Sequence, residues 1–265
     1  MDTRSDTKAL RKIRATRYVT PLREGGSLPA VVEAEDDGLY VLKFRGAGQG
    51  PKSLIAELIG GEIARTLGLR TPELVFIDLD PALGRNEPDY EIRSLITSSG
   101  GLNLALDYLP GSITFDPLVQ PVINGTLASE VVWLDAFLTN VDRTARNTNM
   151  LMWHKNLWLI DHAASLFFHH TWTDYLERST TPFSAIKDHV LLPFASEIEK
   201  ADAKAHELLS PGVIESIVNL LPDEWLTQGE SPFTNANEHR AAYVNYLTTR
   251  FNASERFVKE AMHAR

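Results

Sequence analysis

The chain has 265 residues, 43% hydrophobic and 23% charged, enough for one large domain or two lobes around a sizeable core. Its net charge of −9 leaves no basic footprint for nucleic acid or an anionic membrane, and no apolar run is long enough to cross a bilayer. Cysteine is absent, which excludes disulfides, zinc thiolates and thiol catalysis and fits a reducing cytoplasm; the charged start MDTRSDTKALRKIRA lacks the apolar stretch of a secretory signal.

Residues 1–14 read as a tail or short helix. ATRYVTPL reads as a strand, REGGSLP as a glycine loop, and AVVEAEDDGLYVLKFRG as two strands joined at Asp36-Asp37-Gly38, since Asp-Gly between alternating apolar runs signals a hairpin. Three antiparallel strands are therefore expected at the start. Lys43 lies in the third, with Leu42 and Phe44 facing the other way. It is either an edge lysine that discourages aggregation or a compact charge placed to meet phosphates. RGAGQGPKS is too irregular for a Walker A loop, and Lys52 reads as a solvated loop lysine.

LIAELIGGEIARTLGL has helical apolar spacing through Leu54, Leu58, Ile59, Ile63 and Leu67 and ends at Gly68. Glu57 and Glu62 are its only acids. TPELVFIDL reads as a strand, followed later by YEIRSLITS. GLNLALDYLPGS reads as a strand and a hinge, whose backbone at Asp107, Tyr108 and Leu109 could meet the edge of an adenine.

The stretch Asp135–Asp161 carries the chemistry. Trp133 to Leu138, apolar but for Asp135, continues a helical pattern that starts near Ser129 and leads into the polar loop TNVDRTARNTN. Such a loop behind a buried helix points to function. MLMW and LWLID around His154-Lys155-Asn156 read as a β-hairpin with a three-residue turn, which sets Asn149 opposite Asp161 and Asn147 at the same open end. Asp142, Asn147 and Asp161 then supply oxygen-bearing side chains to one place. Hard magnesium accepts one carboxylate and one amide beside phosphate oxygens and water, which frees Asp142 to take a hydroxyl proton. The plainer alternative is that Asp142 and Asn147 cap turns and Asp161 ends a strand. Asn149 is the next candidate ligand after Asn147.

Beyond Asp161, HAASLFFHHTW holds His169-His170; adjacent histidines point apart and no further ligand stands at metal spacing. Residues 172–195 read as irregular. Helices are expected at 196–209, at 211–220 after Ser210-Pro211, at 236–250, and at 252–263 with Asn252 as N-cap.

The pieces VLKF, AELIGGEIARTLGL, LNLALDYLPG, NVDRTARN and LWLIDHA, spread over residues 17–170, together resemble HipA-like kinases, with similar logic in type II phosphatidylinositol 4-kinases. The resemblance implies ATP and Mg2+ as cofactors. It places Lys43 on the α- and β-phosphates with Glu57 holding it, Asp142 as catalytic base, and Asn147 and Asp161 as metal ligands. Arg146 would touch the transferred phosphate or remain a solvated loop arginine. Two departures stand out. Asn140-Val141 replaces the usual His-Arg before the catalytic Asp, and His162-Ala163 stands where relatives place a glycine.

The expected fold is α+β and bilobal, a protein-kinase-like fold with a small antiparallel-sheet N-lobe at 1–105 and a mostly helical C-lobe at 106–265. The expected activity is cytoplasmic, ATP-dependent phosphate transfer to a serine or threonine hydroxyl of a protein, with Ser27 of the glycine loop as a candidate self-acceptor. A small-molecule or lipid kinase and a nucleotide-binding pseudokinase scaffold are the rivals. No nucleic acid, membrane or antitoxin partner is indicated.

Overall fold

The computed structural model describes residues 9–22, 28–118, 123–229 and 231–265. Ser27 lies outside them. Strands β1 (Lys12–Pro21), β2 (Ala30–Ala34) and β3 (Leu39–Lys43) form the expected antiparallel run. At the β2–β3 turn, Asp37 takes a left-handed φ of 61° and Asp36 Oδ1 accepts the Gly38 N–H, which is how short acidic side chains stabilise a tight turn.

Strands β4 (Leu74–Leu79) and β5 (Gly101–Asp107) complete this part. β5 pairs antiparallel with β3 and β4, and β4 pairs parallel with β1. The strands therefore close into a barrel in the order β1-β2-β3-β5-β4, with one parallel seam, where sequence led us to expect an antiparallel sheet. Ile13, Tyr40, Leu42, Val75 and Ile77 fill the interior, and the small Ala15, Ala30, Ala34 and Ala105 leave room for so few strands to close around it. The lobe boundary expected between 105 and 106 falls inside β5, whose pairing continues through Asp107.

YEIRSLITS forms helix α2 (Tyr90–Ser98). Asp89 caps it by accepting from the Glu91 and Ile92 N–H groups, and Ile92 and Ile96, one turn apart, are its buried face.

Helix α1 (Pro51–Thr66) starts with Pro51 in the first turn and is buried on every side from Leu54 to Ala64. It belongs to the same apolar core as the helical part of the chain: α3 (Gly125–Leu138), α4 (Tyr175–Ser179), α5 (Ile198–Leu208), α6 (Pro211–Val218), α7 (Asp223–Thr227), α8 (Ala236–Asn252) and α9 (Ser254–Ala264). Ser210 caps α6 as expected, through the Val213 N–H. Asn252 is not a cap; it ends α8, which runs two residues past the expected 250 with Arg250 and Phe251 buried, and Ala253 alone makes the joint. The short α7, absent from the sequence reading, ties the helices to the barrel. Trp225 donates to the Leu102 carbonyl at 3.2 Å and meets the Phe76 ring edge-on, while Arg45 pairs with Glu224 at 3.2 Å.

A second small sheet holds β6 (Ile113–Thr114), β7 (Met150–Trp153) and β8 (Asn156–Leu159). The β7–β8 hairpin pairs Trp153 with Asn156 and Met150 with Leu159. Its turn has two residues, not three: His154 and Lys155 both take left-handed φ, 48° and 63°, the geometry whose twist matches the strands. The expected register thus slips by one. Asn149 lies opposite Ile160, whose N–H it accepts at 3.0 Å, rather than opposite Asp161.

Gly60 lets α1 approach the chain just after β8, for a Cβ built there would lie 2.6 Å from the His162 Cβ. An alanine in a helix ordinarily stabilises it. We expect the reverse here: Gly60→Ala should cost about 1–3 kcal/mol through overpacking. Urea denaturation decides it, and a variant as stable as wild type, or more so, would show that this approach is not tight.

Candidate active site

Lys43 stands at the end of β3. Leu42 and Phe44 point into the barrel, so Lys43 points out of it, toward α1 and the end of the hairpin. Its Nζ lies 2.9 Å from Asp161 Oδ1 and 4.0 Å from Glu57 Oε2. The short partner is therefore Asp161, with Glu57 behind. Glu57 Oε2 accepts the His162 N–H at 2.8 Å, which links α1 to the segment after β8. Glu62, the other acid of α1, pairs instead with Arg65 one turn on.

The charges bear the mark of burial. It works against the Lys43 ammonium, but Glu57 and Asp161 outweigh it and hold Lys43 above its ordinary pKa. Burial also opposes the Asp161 carboxylate, and Lys43 overrides it, so Asp161 is held low. Glu57, further from the lysine, is pushed up to about 7 by burial. His162 is driven down to about 3, by burial first and then by Arg143, and is neutral at pH 7.

The polar loop after α3 folds around Asp142. Thr139 ends α3 in a left-handed turn, and the Asn140 side chain accepts the Asp142 N–H at 3.1 Å. Asn140 thus orients this loop. Asp142 Oδ2 accepts from Asn147 Nδ2 at 2.7 Å and from Asn149 Nδ2 at 3.2 Å. Both amides then turn their oxygens away from Asp142, and among the described residues neither amide oxygen nor Asp142 Oδ1 has a hydrogen-bond partner. Arg146 is exposed and makes no hydrogen bond or ion pair among the described residues.

A carboxylate on Asp161 and amide oxygens on Asn147 or Asn149 suit a hard divalent cation. Among the described residues no three His, Asp or Glu side chains cluster to hold a metal alone, so phosphate oxygens and water would have to complete its shell. Of the hinge, the Asp107 N–H is spent on Glu73 and the Tyr108 N–H on Leu39. Among the three amides expected there, only the Leu109 N–H is without a partner among the described residues.

The sequence reading missed the group at the centre. Arg143, wholly buried, donates from Nε to Asp135 Oδ2 at 2.5 Å and from Nη1 to the Asn149 carbonyl, with the Ile160 carbonyl at 3.4 Å; its Nη2 lies 3.4 Å from His162 Nδ1. Asp135 also accepts from Asn140 Nδ2 at 3.0 Å and meets His189 Nε2 at 2.9 Å. One signal was available: Asp135 is the lone charge in the apolar run from Val131 to Leu138, and Arg143 follows eight residues on. From α8, Arg250 caps the last turn of α3 through the carbonyls of Ala136 and Phe137.

The family model for HipA-like kinases matches residues 16–260. The chain belongs to the HipA-like kinase family. It is accordingly a kinase, a phosphotransferase. Two solved structures share its fold. One is the Helicobacter pylori proinflammatory kinase CtkA, 12% identical with a TM-score of 0.53, matched over 94% of this chain and 96% of that one. The other is the Golgi casein kinase with Mn/ADP bound, 12% identical with a TM-score of 0.51, over 98% of this chain and 75% of that one. No curated protein matches the sequence. In this HipA-like kinase a sheet-rich part precedes a mostly helical one. No helix among the described residues is long and apolar enough to cross a membrane.

Burial works against the Asp135 charge, but Arg143 and the His189 hydrogen bond outweigh it and hold the carboxyl well below the usual range. A carboxyl depressed on folding adds stability that is present above its unfolded pKa, about 3.9, and is lost as pH falls through the folded value. Asp135→Asn should cost about 3–5 kcal/mol at neutral pH, by leaving Arg143 buried without its counter-charge, and should blunt the acid limb of the stability curve. Urea titrations from pH 2 to 7 measure both. Wild-type stability at pH 7 together with an unchanged acid limb would rule out the pair as a source of stability.

Proposed function

We propose that this kinase transfers the γ-phosphate of ATP to a serine or threonine hydroxyl of a protein, with Mg2+. The observation that carries the reading is the meeting of Lys43 from β3, Glu57 from α1 and Asp161 from the chain after β8, beside a loop in which Asp142 Oδ1 has no donor among the described residues. In this reading Lys43 binds the α- and β-phosphates and Glu57 keeps it in place. Asp161 and Asn147, or Asn149 in its stead, hold the cation, and the Leu109 N–H meets the adenine edge with Asp107 and Tyr108 forming the hinge. The Golgi casein kinase with Mn/ADP bound supports the use of a nucleotide and a divalent ion. The cation, when bound, neutralises charge on the phosphates.

Asp142 orients the acceptor hydroxyl and receives its proton. The hydroxyl oxygen bonds to the γ-phosphorus as the bond to the β–γ bridging oxygen breaks, leaving ADP. Arg146, exposed and close in sequence to Asp142 and Asn147, steadies the charge on the moving group. Catalysis is mostly positioning and charge neutralisation. The lobes meet just beyond Asp107, where β5 ends. The lack of cysteine and the acidic charge fit a cytoplasmic enzyme with a protein substrate.

Asp142→Ala should lower kcat by about 10²–10⁴-fold, the worth of a general base, while nucleotide binding persists. Unchanged turnover would remove Asp142 as the base. Asp161→Ala should abolish the thermal shift produced by Mg2+–ATP; a shift equal to that of wild type would count against Asp161 as a metal ligand. Labelled ATP, given with and without cell lysate, separates the acceptors: label on proteins fits the reading, label on small molecules favours a metabolite kinase, and bound ATP without transfer favours a scaffold.

A further inference from the structure

We infer that Arg143 is a positioning residue that locks the base side and the metal side of the site into one register. The inference rests on the roles proposed above for Asp142 and Asp161. Arg143 follows Asp142 directly. Its guanidinium reaches the carbonyl of Asn149, a candidate oxygen donor, the carbonyl of Ile160, the residue before Asp161, and the ring of His162, the residue after it. One rigid planar cation thus touches or adjoins each part of the site, as its fork of donors allows and a lysine ammonium does not.

The anchor behind it is equally fixed. Asp135 lies in the last turn of α3 and is bound on both oxygens, by Asn140 on Oδ1 and by Arg143 and His189 on Oδ2. His189 Nδ1 accepts the Leu191 N–H at 3.0 Å, so Nε2 carries the proton and donates to Asp135. The Arg143 carbonyl accepts the Val190 N–H at 3.1 Å, and Thr144 bridges to His189, which draws the segment after α4 into the same assembly. On the other side the His162 N–H grips Glu57. The contacts run unbroken from α3 through Arg143 and His162 to Glu57 and Lys43.

A buried arginine could instead serve the fold alone, and the two roles differ in what its loss disturbs. Two variants make the test: Arg143→Lys, which keeps the charge but not the fork, and the neutral pair Asp135→Asn/Arg143→Gln, which leaves no buried charge unpaired. For each we would measure amide hydrogen exchange, kcat and Mg2+–ATP affinity on the full chain. Positioning predicts loss of exchange protection confined to residues 149 and 160–162, with the barrel and α8 unaffected. It also predicts a fall in kcat of about 10²-fold, the usual penalty of a small misplacement, with nucleotide affinity changing far less. Unchanged protection at 160–162 in a folded variant overturns the inference. So does protection lost evenly along the chain with kcat falling only in step with the folded fraction. If the wild type binds Mg2+–ATP and transfers nothing, the proposed function fails, and exchange at 160–162 alone decides this inference in the same two directions.

Discussion

The buried contact between Asp135 and Arg143 is the constraint on which the site depends. Two charges in a protein core are costly to desolvate, and their attraction offsets that cost only when every remaining donor and acceptor is satisfied. That condition is met here on the acid by Asn140 and His189, and on the base by two backbone carbonyls and a histidine ring. Such a pair contributes little net stability against an apolar replacement. What it contributes is geometry, because only one arrangement of the α3 end, the Asp142 loop and the close of the hairpin satisfies all its members at once.

Helix α1 supplies the second constraint. A glutamate at the centre of a helix buried on all sides has no freedom to choose its partner; packing against barrel and helices alike sets where it points. Gly60, three residues on, allows the backbone to come close enough for Glu57 to take the His162 N–H. Trp225 and Arg45 brace the barrel against the helices at a separate place. Lys43 and Asp161 thereby meet across parts of the chain more than a hundred residues apart in sequence.

Much of this was legible in the chain. Alternating apolar residues and the Asp-Gly turn gave β2 and β3, helical spacing gave α1, and Ser210-Pro211 gave the start of α6. The polar loop and the hairpin stand where Asp142, Asn147 and Asp161 marked them, and Lys43 lies against Asp161 with Glu57 behind it. The errors have separate causes. The hairpin register depended on whether Asn156 belonged to the turn, and nothing in a Trp-His-Lys-Asn run shows that His154 and Lys155 both take left-handed φ. Asn252 looked like a cap, but α8, with Arg250 and Phe251 buried, runs on to include it.

The sequence by itself determined the local elements and the residue types of the candidate site, because periodicity and turn chemistry act over a few neighbours. Only the tertiary structure decided that β4 pairs in parallel with β1 to close a barrel, that α7 braces it, and that Asp135, Arg143, His162 and His189 converge. Those contacts join segments far apart in the chain, and burial on all sides made them necessary. A charged residue in a sequence carries no mark of the partner it will need once water is gone.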